Sequence, residues 1–319
     1  MTSNSKVSVV IIAKNAERTI GYTLKSLLKQ TRKPDEIIVV DDSSNDRTIE
    51  IAREYGARVV HNYLGGCGAG RRIGVEEAKY DITVFIDADC IAHPKFIEEI
   101  LKAYKLFMKE NVVAQGGKVE VIKRIDYVDI HGVLRSLKNE RTVKEDKYLF
   151  VNYVRPAAFS ILKKIALEVG NFDENLRIME GLDLCFRLSE RGYKILYNPR
   201  AIVYHIGSLR SIKRALRNAK GLSMIMVKYK SIYKSWYFMG LIHVALILSA
   251  ILLLFLNPLL SAILIGASIA HRIYRAFLKI RKGKMSLIEA LIDDFLIPYI
   301  TYFLIPYYTL KLRNISWRY

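Results

Sequence analysis

The first ninety residues alternate between short apolar runs and segments with helical periodicity, and this alternation limits the folds open to the chain. Val7 to Ala13 is rich in β-branched residues, as expected of a strand buried on both faces. Ile20, Leu24 and Leu27 follow it at helical spacing. Repeated strand–helix units of this kind predict an α/β fold with a mostly parallel sheet and helices on both faces.

Further units continue the pattern. A strand is predicted at Glu36 to Asp41, followed by a helix from about Asp46 to Tyr55, and a short strand at Ala57 to His61. A glycine-rich turn then leads into a helix at Arg71 to Ala78, and the next strand is Ile82 to Asp87. In such sheets ligands bind beyond the carboxyl ends of the strands.

Four acidic residues lie at those strand ends: Asp41, Asp42, Asp87 and Asp89. Asp87-Ala88-Asp89 follows a buried-type strand and precedes a helix pattern opened by Pro94. Carboxylates two residues apart at a strand end can hold a hard divalent cation against a diphosphate. An Asp-x-Asp also occurs by chance in many proteins, so its setting carries the prediction of a nucleotide-sugar site.

The charge is concentrated in the C-terminal third. Of a net charge of +19, the segment 208–319 carries +14, with 17 Lys/Arg against 3 Asp/Glu. Basic residues that flank apolar spans favour anionic lipid headgroups as partners rather than nucleic acid. Residues 208–236 mix basic and apolar side chains and predict an amphipathic juxtamembrane helix.

The region 237–319 is predicted to be a membrane region. Residues 237–256 are long enough to cross a bilayer, and 259–274 would return after the Asn257-Pro258 turn. The six Lys/Arg of 272–284 would then share the cytoplasmic side with the juxtamembrane segment. Residues 287–310 contain two acids and two prolines, which favours a re-entrant or interfacial segment over a third span.

The three cysteines, Cys67, Cys90 and Cys185, have no metal-ligand spacing and favour reduced thiols. A polar N-terminus passes directly into the first strand pattern, without the features of a signal peptide. We therefore expect a multi-pass protein of the cell membrane with residues 1–207 as a cytoplasmic catalytic domain.

Four segments together resemble the family 2 glycosyltransferases, which have the GT-A fold. They are VSVVIIAKN at 7–15, DEIIVVDDSSNDRT at 35–48, GCGAGRRIGVEEA at 66–78 and FIDADC at 85–90. The resemblance covers about residues 7–207. It implies a nucleotide-diphosphate sugar donor, Mn²⁺ or Mg²⁺ as the cofactor, and inversion at the anomeric carbon.

The resemblance also implies roles for individual residues. Asp42 would accept a hydrogen bond from the nucleotide base, although a turn or helix-capping role is the alternative. Arg71 would lie near the diphosphate, where the neighbouring glycines allow backbone approach. Asp89 would bind the metal and Asp87 the ribose or the metal shell. His205 would lie near metal and phosphate, with a purely structural role as the alternative.

Two positions depart from the family pattern. Ala13-Lys14-Asn15 lacks the usual aromatic residue, and Gly181 stands where the catalytic base Asp is expected. Glu180 or Asp183 would then have to act as the base. A hydroxyl acceptor needs such a base, whereas a polyprenyl phosphate is already ionised near neutral pH.

Three functions follow, in order of preference. The first is transfer of the sugar to a hydroxyl of a lipid-linked glycan, and the second is synthesis of a polyprenyl phosphate sugar. The third is a membrane scaffold that binds nucleotide sugar without turnover. Only Gly181 supports the scaffold, whereas Asp42, Arg71, Asp87 and Asp89 are all present.

Overall fold

The computed structural model describes residues 5–122 and 147–206, with eight single positions between 217 and 273. The chain divides into two compact units, Met1–Ser208 and Leu209–Tyr319. Within the described part no helix is long and apolar enough to cross a membrane. The predicted spans at 237–256 and 287–310 lie outside the described residues, as does 259–274 except for Ile273. The predicted juxtamembrane helix also lies largely outside them.

The first unit contains a nine-stranded sheet with helices packed on it. The strands are β1 (Val7–Ala13), β2 (Glu36–Asp41), β3 (Arg58–His61), β4 (Ile82–Asp87), β5 (Cys90–Ala92), β6 (Val112–Ile122), β7 (Leu149–Val151), β8 (Ala158–Leu162) and β9 (Lys194–Ile206). The helices are α1 (Ile20–Leu28), α2 (Thr48–Glu54), α3 (Cys67–Glu77), α4 (Phe96–Leu106), α5 (Lys163–Glu168) and α6 (Glu180–Glu190), and a 3₁₀ turn spans Met108–Glu110.

The sheet is mixed rather than mostly parallel. Its order is β3-β2-β1-β4-β8-β6-β9-β5, with β7 paired to β9. The first four strands in this order, β3, β2, β1 and β4, are parallel to one another, as predicted. β8 runs antiparallel to β4 and β6, and β5 and β7 run antiparallel to β9. Apolar periodicity identifies a strand but not the direction of its neighbour, so the sequence prediction extended the parallel pattern too far.

Helices cover both faces of the sheet, as predicted. Side chains of a strand alternate between the faces. On β1, Val9 and Ile11 face the core formed with α1, α2 and α4. Val10 faces the other core, which includes side chains of α3, α5 and α6. Val9, Val10 and Ile11 are all fully buried, which explains why the sequence of this strand is uninterruptedly apolar.

The parallel strands end at one edge of the sheet. Ala13 of β1 is in register with Asp41, and Ile12 is in register with Asp87. Several hydrogen bonds join the loops beyond β1 and β2; for example, Asn15 N donates to Ser44 Oγ at 2.9 Å, and Asn45 N donates to Asn15 Oδ1 at 2.9 Å. These hydrogen bonds hold the loop that follows Asp41 and Asp42 against the loop that follows β1.

Candidate active site

Arg71 of α3 joins two of the predicted site residues. Its Nη2 donates to Asp87 Oδ1 at 2.9 Å, and its Nη1 donates to Glu180 Oε1. Asp87 ends β4 and Glu180 begins α6, so the contact links three elements that are distant in the sequence. Arg71 and Glu180 are both buried, whereas about a third of the Asp87 side chain is exposed. Of these three side chains, Asp87 is the one that a ligand could reach from solvent.

The charged groups in this cluster shift one another's pKa. Burial alone would lower the pKa of Arg71, but Glu180 and Asp87 outweigh it and raise that pKa. Burial raises the pKa of Glu180 above its ordinary value, against the opposing effect of Arg71. The arginine therefore remains charged, and its charge is already shared between two carboxylates.

Asp87 and Asp89 provide oxygen ligands that suit a divalent cation. Together with Cys90 they form a group whose candidate ligand atoms lie within 4.8 Å of one another. Both aspartates are partly exposed, whereas burial raises the pKa of the Cys90 thiol well above its ordinary value. The thiol thus stays protonated. The two carboxylates fit Mn²⁺ or Mg²⁺, which bind hard oxygen ligands.

His205 lies next to this group without belonging to it. β5 pairs with β9 so that His205 is opposite Cys90, and its Nε2 lies 3.3 Å from Asp89 Oδ2. Its Nδ1 is buried and has no hydrogen-bond partner within the described part of the chain. A ring proton on Nε2 would orient Asp89 and leave Nδ1 as an empty acceptor. A role in positioning Asp89 fits this geometry more directly than metal ligation, which stays a prediction.

Asp42 fixes the glycine-rich turn. Its Oδ1 accepts from Gly66 N at 2.9 Å and from Asn62 Nδ2 at 3.0 Å, and Lys14 Nζ lies 3.3 Å from its Oδ2. The alternative turn and capping roles are filled by other acids. Asp41 accepts from Ser44 N at 3.1 Å, and Asp46 accepts from Thr48 N at 3.0 Å. Oδ2 of Asp42 keeps acceptor capacity for a ligand. Sequence reasoning missed Asn62, whose neighbours gave no motif.

The glycines near Arg71 serve the protein's own packing. A Cβ at Gly68 would lie 2.2 Å from Asp173 O and 2.4 Å from Leu176 O. A Cβ at Gly70 would lie 3.1 Å from Ile12 Cγ2. Gly68 and Gly70 also lie inside α3, which begins at Cys67 rather than at Arg71 as predicted. The missing side chain of Gly68 therefore leaves space for the 173–176 loop, and that of Gly70 leaves space for Ile12 of β1. The approach of this backbone to a phosphate stays a prediction.

The two candidate bases occupy different environments. Asp183 is fully buried, and its Oδ2 accepts from Arg187 Nη2 at 2.6 Å and from Arg187 Nε at 3.0 Å. Glu180 instead lies in the cluster with Arg71. At Gly181 a Cβ would lie 2.5 Å from Pro156 Cγ, so a larger residue would force one of these two positions to shift. The structure places Glu180, and not Asp183, beside the strand-end site.

Comparisons with known proteins agree with this architecture. The family described as "Glycosyl transferase family 2" matches residues 8–168, just over half of the chain. An uncharacterized glycosyltransferase of Rickettsia typhi is 28% identical over 193 residues, which is 58% of this chain and 59% of that protein. The chain thus spans less than two thirds of that relative's length.

Two solved structures share the fold. A mannosyltransferase from Pyrobaculum calidifontis, in complex with GDP-Man and Mn²⁺, has a TM-score of 0.63 at 18% identity, covering 92% of this chain and 88% of the other. GalNAc-T7 with UDP, GalNAc and Mn²⁺ has a TM-score of 0.58 at 20% identity, covering 75% of this chain and 51% of the other. The matched family, the fold and the strand-end acids agree, and the chain belongs to glycosyl transferase family 2.

Proposed function

We propose that this protein is a metal-dependent, inverting glycosyltransferase that moves a sugar from a nucleotide-diphosphate sugar to a membrane-associated acceptor. The observation that carries the proposal is the contact of Arg71 with both Asp87 and Glu180. It joins the Asp-x-Asp edge, where the donor would bind, to the start of α6, where the family pattern expects the base. The residues that would act on the donor and on the acceptor are thus both bonded to Arg71.

Asp89 and Asp87 would hold Mn²⁺ or Mg²⁺. When bound, the cation supplies Lewis-acid stabilisation of the charge that develops on the departing diphosphate. His205 would keep Asp89 oriented through its Nε2 contact. The similar structures whose names include Mn²⁺ together with UDP or GDP-Man support this choice of cofactor and donor class.

Asp42 would receive the nucleotide base. Its Oδ1 accepts hydrogen bonds from Gly66 and Asn62, which fixes the carboxylate plane and leaves Oδ2 beside the exposed Lys14. Oδ2 can then accept a hydrogen bond from an N–H group at the edge of a uracil or guanine base. Asp42 would therefore select the base, while the Asp-x-Asp edge holds the diphosphate.

A hydroxyl of a lipid-linked glycan is the first candidate acceptor. Glu180 would take the proton of that hydroxyl as the oxygen forms its bond to the anomeric carbon and the nucleoside diphosphate leaves. Burial raises the pKa of Glu180, which suits a general base operating near neutral pH. A single displacement of this kind inverts the anomeric centre.

One observation favours a polyprenyl phosphate as the second candidate. Both candidate bases are already engaged, since Glu180 is buried against Arg71 and Asp183 against Arg187, and Pro156 crowds position 181. A phosphate acceptor is already ionised and needs no base. In either case the net charge of +14 in 208–319 supports placement at the cytoplasmic face of an anionic membrane.

The test is nucleoside diphosphate release by the detergent-purified full chain with Mn²⁺. A panel of UDP- and GDP-sugars is offered with polyprenyl phosphate, with a lipid-linked glycan, or with neither lipid. Release stimulated by the glycan supports the first candidate, and release stimulated by polyprenyl phosphate with an acid-labile product supports the second. Binding of donor without release under any of these conditions would support the scaffold and refute the enzymatic proposal.

A further inference from the structure

The donor that the proposed function requires is strongly anionic, yet the cations at the strand-end edge are largely engaged. Arg71 is shared between Asp87 and Glu180. Lys14 contacts Asp42, and Arg72 contacts Glu76 at 3.1 Å and Glu174 at 3.5 Å. A diphosphate that enters this edge therefore meets cations whose charge is already balanced.

Arg177 lies over the glycine-rich turn beside Asp42. A Cβ at Gly66 would lie 2.8 Å from Arg177 Cγ and 3.2 Å from its Cα, so the stem of the arginine packs on this glycine. A Cβ at Gly65 would lie 4.0 Å from Arg177 Nη2 and 3.5 Å from Asp42 Oδ1. The guanidinium and the base-binding carboxylate are thus on the same side of one turn.

The turn and the loop that carries Arg177 hold each other in place. Gly68 N donates to Leu176 O at 3.1 Å, and Leu176 N donates to Asp173 O at 3.1 Å. Gly66 has a φ of +91°, which glycine adopts readily, and its missing Cβ leaves space for the arginine stem. The backbone position of Arg177 is therefore set by packing, while its side chain is exposed.

No carboxylate in the described ranges 5–122 and 147–206 forms an ion pair with Arg177. The guanidinium is therefore exposed, has no anionic partner in these ranges and lies near the base-binding acid. Its planar fork can bind a phosphate through two hydrogen bonds.

We propose that Arg177 binds a phosphate of the nucleotide part of the donor. The inference rests on the proposed function, because it takes a nucleotide-diphosphate sugar as the ligand. It assigns the two arginines separate tasks: Arg71 organises the carboxylates of the site, and Arg177 supplies the uncompensated positive charge to the donor. Neither the strand-end motif nor the family pattern marks Arg177.

The test measures Kd by titration calorimetry on the full chain with Mn²⁺. The ligands are UDP and GDP, each paired with its nucleoside, uridine or guanosine. Arg177→Met keeps the stem that packs on Gly66 and removes only the guanidinium. We expect it to weaken binding of the preferred diphosphate by about 10- to 100-fold, the range for a hydrogen bond to a charged group, and to leave nucleoside binding unchanged. Arg177→Lys should recover part of the loss.

Arg53→Met is the matched control, since Arg53 is also exposed but lies near the C-terminal end of α2. It should bind the diphosphate as the wild type does. Equal Kd values for wild type and Arg177→Met would overturn the inference while leaving the proposed function intact. A parallel loss of nucleoside affinity would also overturn it, because the arginine would then act on the base. Wild-type protein that binds neither diphosphate would refute the proposed function itself.

Discussion

At the scale of single residues, the feature that organises the site is one buried guanidinium between two carboxylates. Arg71 and Glu180 are 109 positions apart, so no local motif announces their contact. Breaking a buried ion pair costs about 3–5 kcal/mol because it leaves an uncompensated charge. The three side chains should therefore behave as a unit in both stability and activity.

Arg71→Met should make stability depend on pH. Without the arginine, the folded-state pKa of Glu180 rises further above its value in the unfolded chain. A raised folded pKa gives a contribution to stability that is present at low pH and lost as pH rises through it. We expect a loss of about 3 kcal/mol in the free energy of unfolding near pH 8, and a smaller loss near pH 5. Urea unfolding at both pH values measures the two losses. An equal loss at both would contradict the coupling of stability to the titration of Glu180.

Glu180→Gln and Asp183→Asn should fail in different ways. Asp183 is fully buried in its pair with Arg187, so Asp183→Asn should lower the free energy of unfolding by about 3 kcal/mol and leave kcat of the folded protein nearly unchanged. Glu180→Gln should lower kcat by about 10² to 10⁴-fold if the acceptor is a hydroxyl. The measurements are kcat at saturating donor and urea unfolding; a large kcat loss confined to Asp183→Asn would reverse the assignment.

At the scale of elements, the starts of α3 and α6 bring the site together. The amphipathic periodicity of Leu182 to Arg191 predicts a helix there, and α6 starts two residues earlier, at Glu180. The predicted start of α3 is four residues late, because glycines are typical of turns. Gly68 lies in the helix for a tertiary reason, the 173–176 loop, which no local pattern encodes.

The start of α6 explains why position 181 carries glycine. Gly181→Asp would restore the acid of the family pattern, but its Cβ would lie 2.5 Å from Pro156 Cγ. Overpacking of this kind costs about 1–3 kcal/mol. We expect Gly181→Asp to be destabilised by that amount and to gain no activity, and Gly181→Asp with Pro156→Ala to recover stability. Urea unfolding of both variants is the measurement. Wild-type stability of the single variant would contradict the packing argument.

At the scale of the whole molecule, the parallel half of the sheet and the clustered strand-end acids were predictable from the sequence. β1, β2 and β4 have strong apolar runs, and parallel strands end at a common edge, which brings Asp42, Asp87 and Asp89 to one side. The rest of the sheet was not predictable, since long-range pairing sets its strand directions: β8 is antiparallel to β4 and β6, whereas β9 is parallel to β6 and antiparallel to β5 and β7. The predicted membrane spans stay predictions.

Metal add-back to the EDTA-treated full chain tests the metal site most directly, with nucleoside diphosphate release from a panel of UDP- and GDP-sugars in membrane lipid extract as the readout. We expect Mn²⁺ to restore release in the wild type and not in Asp89→Ala, while Glu110→Gln, at an exposed acid before β6, behaves as the wild type. Asp89→Ala should keep the wild-type Tm. Release from Asp89→Ala at the wild-type rate, or release from the wild type that persists in EDTA, would contradict the assignment of the metal site to the Asp87 and Asp89 edge.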